Sequence, residues 1–290
     1  MRSRRHTIIT ATLSAATALA LLGSLPGTAA AQSESSAQAQ RRGLSGVVTV
    51  TLGEASVGNY QARTAFCPTG KKLISGGVTT SQLGGVAVMS RPSDTGAGWV
   101  VSGRTGNGNG NIGVGAWAVC ADPPAGYEVV RTQYGSVPNG QRNRVACPAG
   151  KVIMSAGGEA RGGLSGLNAV YPEADTSTGA YRAVAAGSTI ATGGTSVGLV
   201  VVAVCSSPHA NYQLTRHPAI SANSGSYKSV SCPGLTANSA GLDVGNGFIT
   251  SLIPAEPYSP APSAGTPTWT FNGYVRGQST VTFTPTLICS

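Results

Sequence analysis

Three short stretches of this 290-residue chain carry residue types that could do chemistry. Gly194-Thr195-Ser196-Val197-Gly198 has the spacing of a nucleophile elbow, in which a serine on a tight strand-to-helix turn attacks a carbonyl. That chemistry needs a helix directly after the serine. The next residues are Leu199-Val200-Val201-Val202-Ala203-Val204, an apolar, β-branched run that reads as a strand. Asp94-Thr95-Gly96 and Asp175-Thr176-Ser177 have the form of the triplet that brings two carboxylates together over one proton. An aspartate just past a proline in a Gly-rich loop is more simply a turn former through its own side-chain oxygen. Gly108-Asn109-Gly110-Asn111-Ile112-Gly113 fits a phosphate-cradling glycine pattern, but no strand–turn–helix unit surrounds it. Its Asn-Gly steps predict a hairpin connection instead.

The remaining chemistry-bearing residues are sparse. Past the N-terminal segment only His209 and His217 are left, near one another in sequence, and no second pair or free thiol completes a metal site. Ten acidic residues, none paired at matching positions in all three copies, do not supply two opposed carboxylates for glycoside hydrolysis. The sequence therefore predicts no catalytic residue, no metal and no cofactor. A hydrolase acting through Ser196 or Asp94 is one alternative, and an inhibitor or toxin-associated protein that presents its Gly-rich loops to another secreted protein is the other. The formal charge of +9 includes Arg2, Arg4 and Arg5; without them 16 basic residues face 10 acidic, a net +6. These bases are scattered rather than gathered on one face among aromatics, which argues against nucleic acid as a partner.

The elements that must position any site can be read from the cysteines. Cys67-Pro68, Cys147-Pro148 and Cys232-Pro233 each open a segment that an apolar run closes at Cys120, Cys205 and Cys289. The chain therefore reads as three tandem copies, bounded as 47–124, 125–209 and 210–290. Pro92, Pro172 and Pro257 each lie 25 residues past the leading cysteine, with Trp99, Tyr181 and Trp269 after them, and Tyr127 and Tyr212 each precede the next leading cysteine by 20. Forty-one glycines, 10% charged residues and frequent Val, Thr and Ser predict an all-β chain. Two symmetric pairings suit six cysteines: Cys67–Cys120, Cys147–Cys205 and Cys232–Cys289 within copies, or Cys120–Cys147, Cys205–Cys232 and Cys67–Cys289 across them. The first gives each copy its own staple and is the expectation, each bridge contributing about 4 kcal/mol through the unfolded state. Copies this short bury little core alone, so a β-prism-like body around a pseudo-threefold axis is expected over three small domains in a row.

At the N-terminus, Arg2, Arg4 and Arg5 precede an apolar stretch and Ala29-Ala30-Ala31, the pattern of a secretory signal peptide over 1–31. A polar tail, 32–46, with Arg41-Arg42 near its end, is expected to be disordered. No membrane association is expected after cleavage.

The Cys-Pro-x-Gly-Lys openings at Cys67 and Cys147, continued by Gly76-Gly77 and Gly157-Gly158 and closed by Ala-Val-Cys, resemble a class of secreted bacterial triplicate-repeat β proteins. As architecture, the threefold pattern is also similar to vitelline membrane outer layer protein, which implies a β-prism and carries over no catalytic residue. The expected function is a secreted, non-enzymatic binding or surface-associated protein, with polysaccharide, cell-wall polymer or another secreted protein as partner. Trp99, Tyr181 and Trp269 are the candidate ligand platforms, since aromatic faces stack on sugars, against the alternative that they pack the core.

Overall fold

The computed structural model describes residues 43–81, 84–191, 193–245, 247–254, 268–275 and 278–290. The predicted signal peptide, most of the predicted tail with Arg41-Arg42, and Pro257 lie outside them. The first copy forms β1 (Val48–Gly58), β2 (Arg63–Phe66), β3 (Lys72–Thr80), β4 (Val86–Pro92), β5 (Gly98–Arg104) and β6 (Asn111–Ala121). The second forms β7 (Glu128–Arg131), β8 (Gly135–Pro138), β9 (Arg142–Ala146), β10 (Val152–Arg161), β11 (Ser165–Ala174), β12 (Tyr181–Thr189) and β13 (Ser196–Ser206). The third forms β14 (Gln213–Arg216), β15 (Ile220–Asn223), β16 (Lys228–Ser231), β17 (Ala237–Val244), β18 (Phe248–Pro254), β19 (Thr268–Tyr274) and β20 (Thr280–Cys289). The chain is all-β, with no helical element among the described residues.

These strands make three sheets, and none belongs to one copy. Sheet I runs β1-β6-β3-β18-β19-β16, sheet II runs β2-β5-β4-β10-β13-β7 with β8 also on β13, and sheet III runs β14-β20-β17-β11-β12-β9 with β15 also on β20. Each copy splits its strands between two sheets, and sheet I joins the third copy back to the first. That closed sequence of shared sheets is the prism-like arrangement, rather than separate domains in a row. Within every sheet the two copies meet through only two residue pairs: Val78 and Thr79 with Leu252 and Ser251, Gly158 and Glu159 with Ser90 and Met89, Leu242 and Asp243 with Val170 and Ala169.

The reason the contact is so short is steric. One residue before each junction stands a glycine, Gly77, Gly157 or Gly241, where the two strands cross in near contact. A Cβ there would lie 2.0 Å from the Leu252 carbonyl oxygen, 2.6 Å from Arg91 Cα and 2.3 Å from Tyr171 Cα, respectively. Only a residue without a side chain permits that approach. Equivalent bulges precede the crossings, between Leu73 and Ser75, Ile153 and Ser155, and Ala237 and Ser239. They bend β3, β10 and β17 away from the neighbouring sheet, and these three strands pack on one another at the centre. There Ser75 Oγ donates to the Asn238 carbonyl at 2.5 Å.

The core lies between the two halves of each copy. In β20 the alternation Thr280-Val281-Thr282-Phe283-Thr284 sends Val281 and Phe283 inward, where Phe283 meets Phe271 edge-to-face at 5.2 Å. The disulfides are Cys67–Cys120, Cys147–Cys205 and Cys232–Cys289, with Cα separations of 5.7, 5.8 and 5.9 Å and no cysteine left free. They take the within-copy pattern, and each bridges two sheets: β2's end to β6, β9's end to β13, β16's end to β20.

A Gly157→Ala substitution is expected to lower stability by about 2–3 kcal/mol or more, because its methyl meets backbone that cannot turn aside. Gly163→Ala, at an exposed turn where a Cβ meets nothing within 4 Å, should stay within about 0.5 kcal/mol of the parent. Urea denaturation of both variants checks the contrast.

Candidate functional site

The sequence-predicted chemistry disperses once folded. Ser196 is the exposed first residue of β13 and pairs with Pro138, so a strand and not a helix comes after it. Asp94, in the β4–β5 turn of sheet II, accepts from Arg91 at 3.1 Å and Arg131 at 2.8 Å. Asp175 lies in the β11–β12 turn of sheet III and accepts from Ser177 N and Oγ at 3.0 and 2.7 Å and from Thr178 Oγ1 at 2.8 Å. The Ser177 and Thr178 hydrogen bonds hold its carboxyl well below the usual range. Both aspartates are turn-forming, ion-paired residues on different sheets, and they do not share a proton. Gly108 and Gly110 occupy left-handed backbone in the β5–β6 connection, which passes from sheet II to sheet I instead of closing the predicted hairpin because its two strands pair with other neighbours; the two glycine carbonyls accept from Asn59 Nδ2 at 2.7 and 3.0 Å.

The aromatic platforms are corrected by burial. Trp99 is 2% and Trp269 1% exposed; Trp99 Nε1 donates to Ser90 Oγ at 2.9 Å and Trp269 Nε1 to the Ala237 carbonyl at 3.1 Å. A stacking platform needs an open ring face, and neither indole has one. Tyr181 is half-buried and packs edge-on to Tyr212 at 5.5 Å. It is also not the tryptophans' counterpart. Pro92 faces Trp99 and Pro254 faces Trp269, whereas Pro172 faces Ala183 and Tyr181 stands opposite Ala174. Counting residues sets Pro257 in step; register places Pro254 there.

Register exposes a site that residue counting does not. At the outer edge of each junction, Arg104 pairs with Val86, Tyr274 with Phe248 and Ser188 with Gly166, so the three are equivalent. In sheet II, Arg104 is fully buried and its guanidinium donates to the carbonyls of Ser165 (2.5 Å), Leu164 (2.7 Å), Thr105 (2.9 Å) and Gly106 (3.2 Å). Burial lowers its pKa from the ordinary arginine value. In sheet I, the Tyr274 ring lies against the space above Gly84, 3.5 Å from where a Cβ would stand. In sheet III, Ser188 is too short to reach across. The result is a cleft of about 370 Å³ lined by Arg142, Asn168, Ser188, Asp243, Phe248 and the β17–β18 turn around Gly245 and Gly247.

The polar groups of this cleft are fixed by the junction. Asp243, on β17, accepts from Arg142 at 2.8 Å and pairs with Arg216 at 3.4 Å. Its hydrogen bond raises the Arg142 pKa, and Arg216 in turn lies 4.8 Å over the Tyr171 ring. Asn168 is the bulge residue of β11; its Nδ2 donates to the Gly247 carbonyl at 2.5 Å while Oδ1 is buried with no partner among the described residues. Sheet II repeats the acid at Glu159, held by Arg91 at 2.9 Å and Arg161 at 2.5 Å; sheet I has Thr79 instead. Among the described residues no three His, Cys, Asp or Glu side chains converge as a metal would require. The arrangement can orient a polar group through hydrogen bonds and one ion-paired carboxylate.

His209 lies apart, where the second and third copies meet, edge-on to Tyr212 at 5.3 Å with both ring nitrogens buried and unpartnered among the described residues. Tyr212 Oη donates to the Ile153 carbonyl at 2.9 Å. Burial lowers the His209 pKa. No helix among the described residues is long and apolar enough to cross a membrane. Compared with known proteins, the chain matches no family model and no curated protein.

Replacing Arg104 by Met strands the carbonyls that the guanidinium satisfies, and stability should fall by about 3 kcal/mol in urea denaturation. For His209 the folded state favours the neutral ring, so the unfolded chain binds its proton first. Stability should be complete above about pH 6.5, the unfolded value, and decline as pH falls below it. His209→Phe should flatten that part of the pH profile of Tm, measured against the parent between pH 7 and 5.

Proposed function

We propose that this chain is a secreted, non-enzymatic binding protein that offers the sheet III cleft to its ligand. The observation that carries the reading is the inequality of three equivalent positions: Arg104 and Tyr274 close their sites from within, and Ser188 leaves its own open. Secretion is supported by the N-terminal pattern and by three disulfides, which persist in oxidising compartments.

Binding is favoured over catalysis by the state of the cleft's carboxylate. Asp243 is engaged by two guanidiniums that share its Oδ2, so that oxygen is already taken up in ion pairs rather than presented to a substrate proton as a general acid or base would be. The ligand is polar and enters through Asn168, Ser188 and the turn carbonyls. A polysaccharide or cell-wall polymer would have to be held by these planar polar groups alone, because the indoles of Trp99 and Trp269 are enclosed. A secreted protein partner is supported by the kind of group that fills the sister sites, both of them amino-acid side chains.

Glycan and peptide arrays screened with the parent and with Ser188→Tyr, which copies the residue of the third copy, test the reading. Ligands captured by the parent should be lost on the variant while its Tm holds. Covalent labelling of Ser196 by a fluorophosphonate, with hydrolysis of an ester substrate, would replace the binding role by catalysis.

A further inference from the structure

We infer that the group received by the sheet III cleft is a guanidinium, the arginine side chain of a protein or peptide ligand. The inference rests on the binding role proposed above and specifies its ligand. Pseudosymmetry carries it. At the equivalent place in sheet II the chain's own Arg104 lies fully buried, its donors taken up by four main-chain carbonyls, two of them, Leu164 and Ser165, at the β10–β11 turn of the neighbouring copy. Sheet III presents the corresponding β17–β18 turn, around Gly245 and Gly247, to a space that Ser188 does not fill.

Three features fit a planar, donor-rich cation. Asn168 Oδ1 is a buried acceptor with no partner among the described residues, and its neutral amide suits the N–H fork of a guanidinium. Phe248 lines the cleft, and its ring is one that a guanidinium already approaches, the Arg104 carbon lying 5.7 Å from its centroid; arginine is the cation that pairs most readily with aromatic faces. Asp243 supplies a carboxylate. That Arg142 and Arg216 already engage this acid does not bar another guanidinium, because sheet II combines Glu159, Arg91 and Arg161 with buried Arg104 in the same relation. The ligand's charge would thus be met by the Asn168 amide oxygen and the Asp243 carboxylate, beside the Gly247 carbonyl that Asn168 Nδ2 engages.

The test is a nuclear magnetic resonance titration of the whole oxidised chain with Nα-acetyl-arginine methylamide, its neutral citrulline analogue, and an N-acetylglucosamine oligomer. The arginine amide should shift the resonances of Ser188, Gly245, Gly247 and Phe248, with citrulline at least tenfold weaker. Ser188→Arg, which supplies the group from within, should keep its dispersed spectrum and lose the response. Should that variant fail to fold, Asn168→Thr, which installs the counterpart from sheet I, should weaken the arginine response at least tenfold. Equal binding of citrulline, or an undiminished response in the folded variants, overturns the guanidinium inference. Shifts at the cleft with the sugar and not with arginine overturn it while leaving a binding role in place. No shift at the cleft with any probe removes both.

Discussion

Everything in this fold hangs on how closely two β-strands can cross. At Gly77, Gly157 and Gly241 the main chain of one copy lies against that of the next at a distance no side chain tolerates. Because the strands cross there rather than run on side by side, each sheet changes copy through only two residue pairs. The same crossing releases β3, β10 and β17 toward the centre, where the bulges finish the bend. Three such crossings link the sheets in a closed order, and each disulfide joins two of the sheets. Hydrophobic burial between the halves of each copy supplies most of the stability, but the crossings decide which halves meet.

The sequence announced the repeats, the strand class and the pairing of the cysteines because each depends on local pattern or on a repeated spacing. The run from Leu199 to Val204 could hardly be anything but a buried strand. The central strands were harder to read. Gly76-Gly77 in β3 and Gly241 in β17 look like turn punctuation, since glycine is unfavourable inside a strand unless another chain presses close, and that closeness is a tertiary fact. The cleft was hidden for a related reason. Arg104, Ser188 and Tyr274 stand at different distances from their leading cysteines because the connections between β4 and β5, β11 and β12, and β18 and β19 differ in length and β18 begins nearer its leading cysteine than its counterparts do. Only cross-strand register brings them to one place. Tyr181 shows the converse error: it matches the tryptophans in order along the chain, and a two-residue offset in pairing gives their place to Ala183.

Pseudosymmetry also explains where chemistry is found. The acid at the corner is present twice, as Glu159 and Asp243, and is replaced by Thr79 in the third sheet. Each acid clamps arginines from two copies, so these ion pairs tie the corners as well as line them. Partly buried pairs of this kind contribute little net stability but oppose loss of one partner strongly. Duplication allows one copy to keep a scaffold intact while another loses a filling side chain. Ser188 is the short member of the three equivalent positions, and a cleft stands over it while the strand pairing beneath keeps the register of the other two sheets.

The sharing of sheets has a consequence for how the chain reaches this state. Sheet I needs β3 from the first copy and β18 from the third, so Thr79 must wait for Ser251, 172 residues further along, before its strand gains a second neighbour beside β6. Until the last copy is available, β3 and β11 present bare edges able to pair with other chains. Pairings this distant in sequence also slow folding. A ring made of half-sheets has no useful shorter version: removing one copy leaves two open edges rather than a smaller prism. Three copies are therefore the unit that folds, and chain length itself becomes a structural constraint.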